Sequence, residues 1–387
     1  MVKSYLRKGL PEYYKTFCII VVNAIIIFIV LNIIAGWYEK ISSKSKNVET
    51  SSGSNLFKYK EFTPELAPVY PGWDREQVNI LLFETRHVTL GYDPFTQFRE
   101  RPFVGKYVNV DPRGFRPVKN QGPWVPSEAE TNIFLFGGST AFGYGVTDNE
   151  TIASFLQEIL NDSKPTRLAR VYNLGRCSYI SSQELIFLEK LIQSGIVPDV
   201  AIFIDGLNDF AHYKGVPGFT KELTKFMDEG EIPEWKRIVK GLPVVRMFSK
   251  KEKYEESNSE IQRDSIIREI VKRYKTNNNL VKVICDKFTI KPLFVWQPTP
   301  VYKYDQSYNI FGKFDYERFL PYVRVGYETI AKDYLAGQFG ENFLWLAGMQ
   351  EDLKEPLYVD AAHYSARMSK LIAEQIASAL SQKNILP

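Results

Sequence analysis

Apolar residues fill the chain from Phe17 to Tyr38, FCIIVVNAIIIFIVLNIIAGWY, with Asn23 and Asn32 as the polar interruptions. A run of this length crosses the hydrocarbon of a bilayer as a helix, and no helical phase of it carries the polar face that a surface helix shows to water. Lys3, Arg7, Lys8 and Lys15 precede the run, and Trp37 and Tyr38 close it. The positive-inside rule therefore places a short tail, residues 1–15, in the cytoplasm, a span over 16–38, and everything after it outside the cytoplasm. A cleaved signal peptide is the competing reading. It is disfavoured because the run exceeds the usual signal-peptide core and no A-x-A site follows.

Beyond the span, EKISSKSKNVETSSGSNL carries six serines and few apolar positions, which predicts a flexible stalk over 39–56. Residues 57–130 are rich in Pro, Gly and aromatics without sustained periodicity and read as an irregular lead-in, including VNVDPRGFRP, that packs on the main domain. From 131 onward strand and helix patterns alternate. NIFLFG has the length and composition of a buried parallel strand. A helix follows with Ile152, Phe155, Leu156, Ile159 and Leu160 on one face, introduced by Thr147 and Glu150 at capping-box spacing. VYNLG precedes a second helix, opened by Ser181 and Glu184 at the same spacing and closed at Gly195. DVAIFIDG, KPLFVWQP and NFLWL are further strands, with helices around 320–336 and after Ser365. Strands separated by helices imply a parallel sheet covered on both faces.

Between Phe210 and Lys291 lies more chain than a crossover needs, and it reads as a helical insertion, about 210–290, beside the active edge. Ile266, Ile267, Ile270, Val271 and Tyr274 mark a helix within it, and KKEKYEE reads as a solvated face. Composition narrows the partners. Lys plus Arg number 49 against 45 acidic residues, and a net charge of +4 is too small and diffuse for a nucleic-acid binder. The three cysteines show no metal-ligand spacing, and a Cys177–Cys285 disulfide stays open. With three histidines and no H-E-x-x-H, no metal or cofactor is expected.

Chemistry gathers at strand ends. Gly137-Gly138-Ser139-Thr140 stops the first strand, Asn173-Leu-Gly175 the second and Gly206-Leu-Asn208-Asp209 the third, while Asp360-Ala-Ala-His363 precedes the last helix. Open α/β sheets bind ligands at this carboxyl edge. Acyl transfer by a serine needs a base, an acid that orients it, and donors aimed at the oxyanion, and each has a candidate here. The order Ser, Asp, His also occurs in α/β-hydrolases, but the nucleophile there sits in G-x-S-x-G. Here it sits in GGSTA, and the acid precedes the histidine by three residues.

In these blocks and their order, about residues 131–383 of the expected catalytic domain, 131–387, resemble the SGNH (GDSL-type) hydrolase family. The resemblance implies a three-layer α/β/α fold with a parallel, flavodoxin-like sheet. It also implies Ser139 as nucleophile, Asp360 and His363 completing a triad, and an oxyanion hole from Ser139 N–H, Gly175 N–H and the Asn208 side chain. Gly138 stands where the family usually has Asp, and Thr140 follows the serine, which weakens inference about substrate.

His212 lies on the element of the oxyanion donor and reads as structural, as does His87. Asp205 and Asp209 flank a turn and read as its local hydrogen-bonding residues rather than as a glycosidase pair. Trp296 and Gln297 end a strand at the same edge and are expected to line a glycan or acyl site, against the default of core packing for any Trp. The leading expectation is a membrane-anchored serine esterase, removing an acyl group such as acetyl from a cell-envelope glycan or related ester. An O-acyltransferase delivering the acyl group to a sugar is the first alternative. A non-catalytic stalked binding or assembly protein is the second, which a full triad argues against.

Overall fold

The computed structural model describes residues 2–46, 61–162, 164–213, 239, 241–248, 260–312 and 314–386. The chain divides into two compact units, Met1–Ser52 with Lys221–Ser257, and Gly53–Thr220 with Asn258–Pro387.

The first unit is built on α1 (Val2–Lys46). Its stretch Glu12–Tyr38 is 27 residues long with mean hydropathy 3.1, long and apolar enough to cross a membrane. The helix continues through residues 39–46, where a stalk was expected to begin. The remainder of that expected stalk lies outside the described residues. Asn32 satisfies its own polarity locally: its Nδ2 donates to Phe28 O at 2.8 Å, and its Oδ1 accepts from Val244 N at 3.2 Å.

The second unit opens with the lead-in, which is more regular than its composition suggests. It holds α2 (Arg75–His87), the hairpin of β1 (Leu90–Asp93) with β2 (Gln97–Glu100), and the short pair β3 (Phe103–Val104) and β4 (Asn109–Val110). Asp74 caps α2 by accepting from Gln77 N at 2.8 Å.

The main sheet follows. Its parallel strands are β5 (Thr131–Gly137), β6 (Ala169–Asn173), β7 (Val200–Asp205), β8 (Lys291–Trp296) and β9 (Phe343–Trp345), in the spatial order β6-β5-β7-β8-β9. That is the 2-1-3-4-5 order of flavodoxin-like sheets, whose ligands sit where the strand order reverses. Here the reversal falls at the carboxyl ends of β5 and β7.

Strand residues alternate between two cores. Phe134, Phe136, Phe203, Phe294 and Trp296 face one side. There they meet Leu185 and Leu188 of α5 (Ser181–Gln193), and Ile267, Ile270 and Tyr274 of α7 (Glu260–Lys287). Val323 and Tyr327 of α8 (Val323–Leu335) complete this layer. Ile133, Leu135, Ile202, Ile204, Leu293 and Val295 face the other side, against α4 (Ile152–Asp162) and α9 (Ala366–Gln382). Two apolar faces on one sheet, each covered by helices, make the fold three-layered α/β/α.

Two helix starts depart from the spacing argument. Thr147 and Glu150 do form a capping box, but on a 3-10 turn, Asp148–Glu150, and α4 begins two residues later. Helix α5 begins at Ser181 itself, with Gln183 Oε1 accepting Ile180 N–H at 3.4 Å. Its closure at Gly195 is as expected: Gly195 has φ +81° and Ile196 N donates to Leu191 O at 2.9 Å. Of the insertion, Ile267, Ile270, Val271 and Tyr274 are core residues of α7, while KKEKYEE lies outside the described residues.

Candidate active site

Gly137 and Gly138 are required by what surrounds them. Gly137 has φ +151°, and a Cβ on it would fall 2.6 Å from Ala141 Cβ and 2.9 Å from Ile204 O. A Cβ on Gly138 would fall 2.3 Å from Asn208 Nδ2. Side chains at either position would therefore separate β5 from the elements that converge on its end. Ser139 becomes the first residue of a one-turn helix, α3 (Ser139–Phe142), so its own N–H has no intrahelical acceptor.

Ser139 Oγ lies 2.7 Å from His363 Nε2. The other ring nitrogen, Nδ1, lies 2.7 Å from Asp360 Oδ2 and 2.9 Å from Oδ1. Asp360 and His363 occupy one tight turn, closed by Val359 N donating to His363 O at 2.8 Å. Asp360 Oδ1 also accepts Ala362 N–H and His363 N–H, both at 2.8 Å. Three residues of separation suffice because the carboxylate folds back over its own backbone. A carboxylate can only accept, so Nδ1 carries the hydrogen and Nε2 presents a lone pair to the serine hydroxyl. The Tyr144 ring stacks on the imidazole with centroids 4.5 Å apart, and Asp360 and His363 are 5% and 2% exposed. The base is held from three sides.

Asn208 stands in the short helix α6 (Leu207–Ala211) that follows β7, with its amide beside Gly138. One hydrogen of its Nδ2 goes to Tyr179 O at 2.8 Å, and the second remains for a ligand. Gly175 does not offer its N–H as expected, because that group donates to Asn173 Oδ1 at 3.1 Å. The glycine is needed for contact instead: a Cβ there would lie 2.4 Å from Phe142 N. Within the same turn, Leu174, Arg176, Cys177 and Tyr179 N–H groups are all bonded. Ser178 makes no hydrogen bond among the described residues, and it adopts φ +64°, a left-handed conformation costly for a non-glycine residue. Its N–H is the one in this turn without a hydrogen bond among the described residues.

The lining role expected for Trp296 and Gln297 does not fit their placement. Trp296 is fully buried among Phe210, Tyr274 and Tyr327. Gln297 is 3% exposed, and its Oε1 accepts from Thr140 Oγ1 at 2.6 Å and Tyr364 Oη at 3.1 Å. Gln297 thereby ties α3 to the histidine turn from behind. All three cysteines are free, and among the described residues no cluster of His, Cys, Asp and Glu has metal-binding geometry.

Two supports come from the lead-in and had no signal in sequence spacing. The Arg116 guanidinium is buried; Nε pairs with Asp148 Oδ1 at 2.8 Å, Nη1 donates to Phe142 O at 3.0 Å and to Gly143 O, and Nη2 donates to Val146 O at 2.7 Å. Tyr70 Oη donates to Gly145 O at 2.8 Å. Carbonyls after Ser139 are thus held by buried donors. Arginine suits the task because one planar group serves several acceptors at fixed angles.

Neither a protein-family model nor a curated protein matches the chain. Solved structures do. The esterase EstA from Pseudoalteromonas sp. is 14% identical over 66% of this chain and 99% of its own, with a TM-score of 0.34. The acetyl xylan esterase AlAXEase is 16% identical over 64% and 99%, with a TM-score of 0.33. A two-domain esterase, CEX, active on acetylated mannans, is 14% identical over 67% and 51%, with a TM-score of 0.37. Likenesses this loose carry no weight for the chemistry, which rests on the site itself.

Proposed function

We propose that the chain is a membrane-anchored serine esterase that forms an acyl-enzyme on Ser139. The observation that carries this reading is the relay of 2.7 Å contacts from Ser139 Oγ through His363 to Asp360. In the first half-reaction Oγ attacks the ester carbonyl carbon while Nε2 takes its proton. The negative charge moves to the carbonyl oxygen, where Ser139 N–H, Ser178 N–H and the second Asn208 Nδ2 hydrogen are the donors. As the tetrahedral species collapses, the imidazolium gives its proton to the departing alkoxide, and the alcohol leaves. Water then repeats the cycle, releasing a carboxylic acid and restoring Ser139.

The substrate in this reading is an acylated cell-envelope glycan or a related ester. Helix α1 keeps the enzyme at the membrane, with its amino end in the cytoplasm and the second unit outside. The test is full-length protein in detergent with short-chain aryl esters and acetylated glycans, with and without an acceptor sugar. We expect ester cleavage, a Ser139 adduct with a serine-directed phosphonate, and loss of both in Ser139→Ala. Labelling that persists in Ser139→Ala overturns the nucleophile, and acyl transfer dominating over hydrolysis makes the enzyme a transferase.

A further inference from the structure

Behind the turn that carries Asn208 lies a group of acids that the reaction does not use. Glu184, read from its spacing as a capping-box residue, stands in the first turn of α5 and is 1% exposed. Neither of its carboxyl oxygens has a hydrogen-bond donor within reach. Its contact is with another acid, Asp205, the last residue of β7, which is 4% exposed. Asp209, in α6, completes the group and is satisfied differently: Ser181 Oγ donates to its Oδ1 at 2.7 Å, and Ser181 N to its Oδ2 at 3.4 Å. From α7, Arg273 brings the only cation that bears on the group among the described residues, with Nη2 donating to Asp209 O at 3.1 Å. Tyr274, on the same helix, has a buried hydroxyl without a hydrogen-bond partner among the described residues. Asn277 fixes Ser181 and Ser182, donating to each hydroxyl at 2.9 Å.

Two carboxyl groups in contact attract only if one carries a proton, because two carboxylates have acceptors alone. Three buried negative charges against one guanidinium would leave two unpaired anions in a dry interior, a state proteins avoid by protonation. Arg273 bonds the Asp209 backbone carbonyl and its charge acts on the Asp209 carboxyl, which leaves the Glu184–Asp205 pair to share a single negative charge. We propose that Glu184 is held as a neutral acid that donates its proton to Asp205, and that this bond braces the turn Gly206–Asn208 so that the Asn208 amide faces the reacting carbonyl. Glu184 is then a positioning residue, acting through Asp205 and Asn208. Burial, followed by the neighbouring charges of Asp205 and Asp209, pushes the Glu184 carboxyl well above its usual range, in the direction this bond requires.

Loss of that proton at alkaline pH places two anions in contact under α6. Repulsion there displaces Asn208, and a displacement of about 1 Å is enough to cost roughly a hundredfold in turnover. Glu184→Gln keeps a donor toward Asp205 at every pH, whereas Glu184→Ala removes it.

The experiment uses the full-length protein in detergent and two readouts. Infrared spectra at neutral pH report the carbonyl stretch of a protonated buried carboxyl, which we expect in wild type and not in Glu184→Gln. Ester turnover against pH tests the brace, which rests on the esterase reading. We expect Glu184→Gln to keep kcat near wild type and lose the alkaline fall, and Glu184→Ala to lose kcat by about a hundredfold with KM little changed. A wild type without the band, or a band that survives in Glu184→Gln, overturns the proton assignment. An alkaline fall unchanged in Glu184→Gln overturns the brace. If wild type turns over no ester, the function reading fails while the infrared band still decides the proton.

Discussion

Asn208 Nδ2 donates to the Tyr179 carbonyl at 2.8 Å, which ties the end of β7 to the turn after β6. The same amide nitrogen abuts Gly138 at the end of β5. One side chain therefore registers three strand ends at the point where the strand order reverses. Asn208→Ala removes the tie to the Tyr179 carbonyl and, in the proposed esterase reading, a donor to the oxyanion. We expect kcat for an aryl ester to fall by about 100- to 1,000-fold with KM nearly constant, since the donor acts on charge that develops in the transition state. A change confined to KM would make Asn208 a substrate-positioning group instead.

Gly138→Ala tests the same junction from the other side. A methyl at this position meets the Asn208 amide at 2.3 Å, closer than any ordinary contact. Something must move, and the amide is the free end. The variant should fold, with wild-type far-ultraviolet circular dichroism, yet lose turnover about as heavily as Asn208→Ala. Combining the two should cost little more than either alone, because both remove one interaction. Additive losses would separate Gly138 from the oxyanion donor.

Legibility in the sequence followed the range of the interactions. Strands β5, β7 and β8 were visible because both of their faces are buried, so four or five consecutive apolar residues mark them without any partner being known. Ser139, Asp360 and His363 could be singled out because each sits in a short motif, and the structure brings their side chains within hydrogen-bonding distance. Trp296 was misplaced because position along a strand does not say which face a residue takes, and its even register with Phe294 and Phe203 sends it into the core. Gly175 was given a donor role that its own neighbour Asn173 occupies. Arg116 had no signal, since its acceptors lie about thirty residues away in sequence and, Asp148 apart, are backbone carbonyls, which every residue possesses.

Ser178 allows a test of the left-handed turn. At φ +64° a side chain is strained, whereas glycine adopts this backbone freely. Ser178→Gly should keep the N–H where it is and relieve about 1 kcal/mol of strain, partly offset by the greater freedom of glycine in the unfolded chain. We expect unchanged or slightly raised thermal stability and kcat within a fewfold of wild type. Ser178→Val keeps the N–H but resists the conformation, and should lower both. Equal behaviour of the two variants would remove the turn's backbone geometry from the account.

His212 gives the pH dependence of stability. It follows Asn208 by one helical turn, with its N–H donating to Asn208 O at 2.8 Å. Burial, and then the positive charge of Arg273, lower its pKa from 6.5 to about 4. In the unfolded chain the imidazole protonates as pH falls through about 6.5, while the folded protein resists protonation until about 4. Between those values the unfolded state binds more protons, so this residue's contribution favours folding less as pH falls, and the loss levels off below about 4. Carboxylates titrate in part of the same window, so the informative quantity is a difference. Thermal midpoints of wild type and His212→Gln, compared from pH 7.5 down to pH 4 on the order of half a unit apart, should converge or cross as wild type loses this contribution and the glutamine variant does not. A constant gap across the window would mean that His212 has the same proton affinity folded and unfolded, and that the buried neutral imidazole is not what holds the helix behind Asn208.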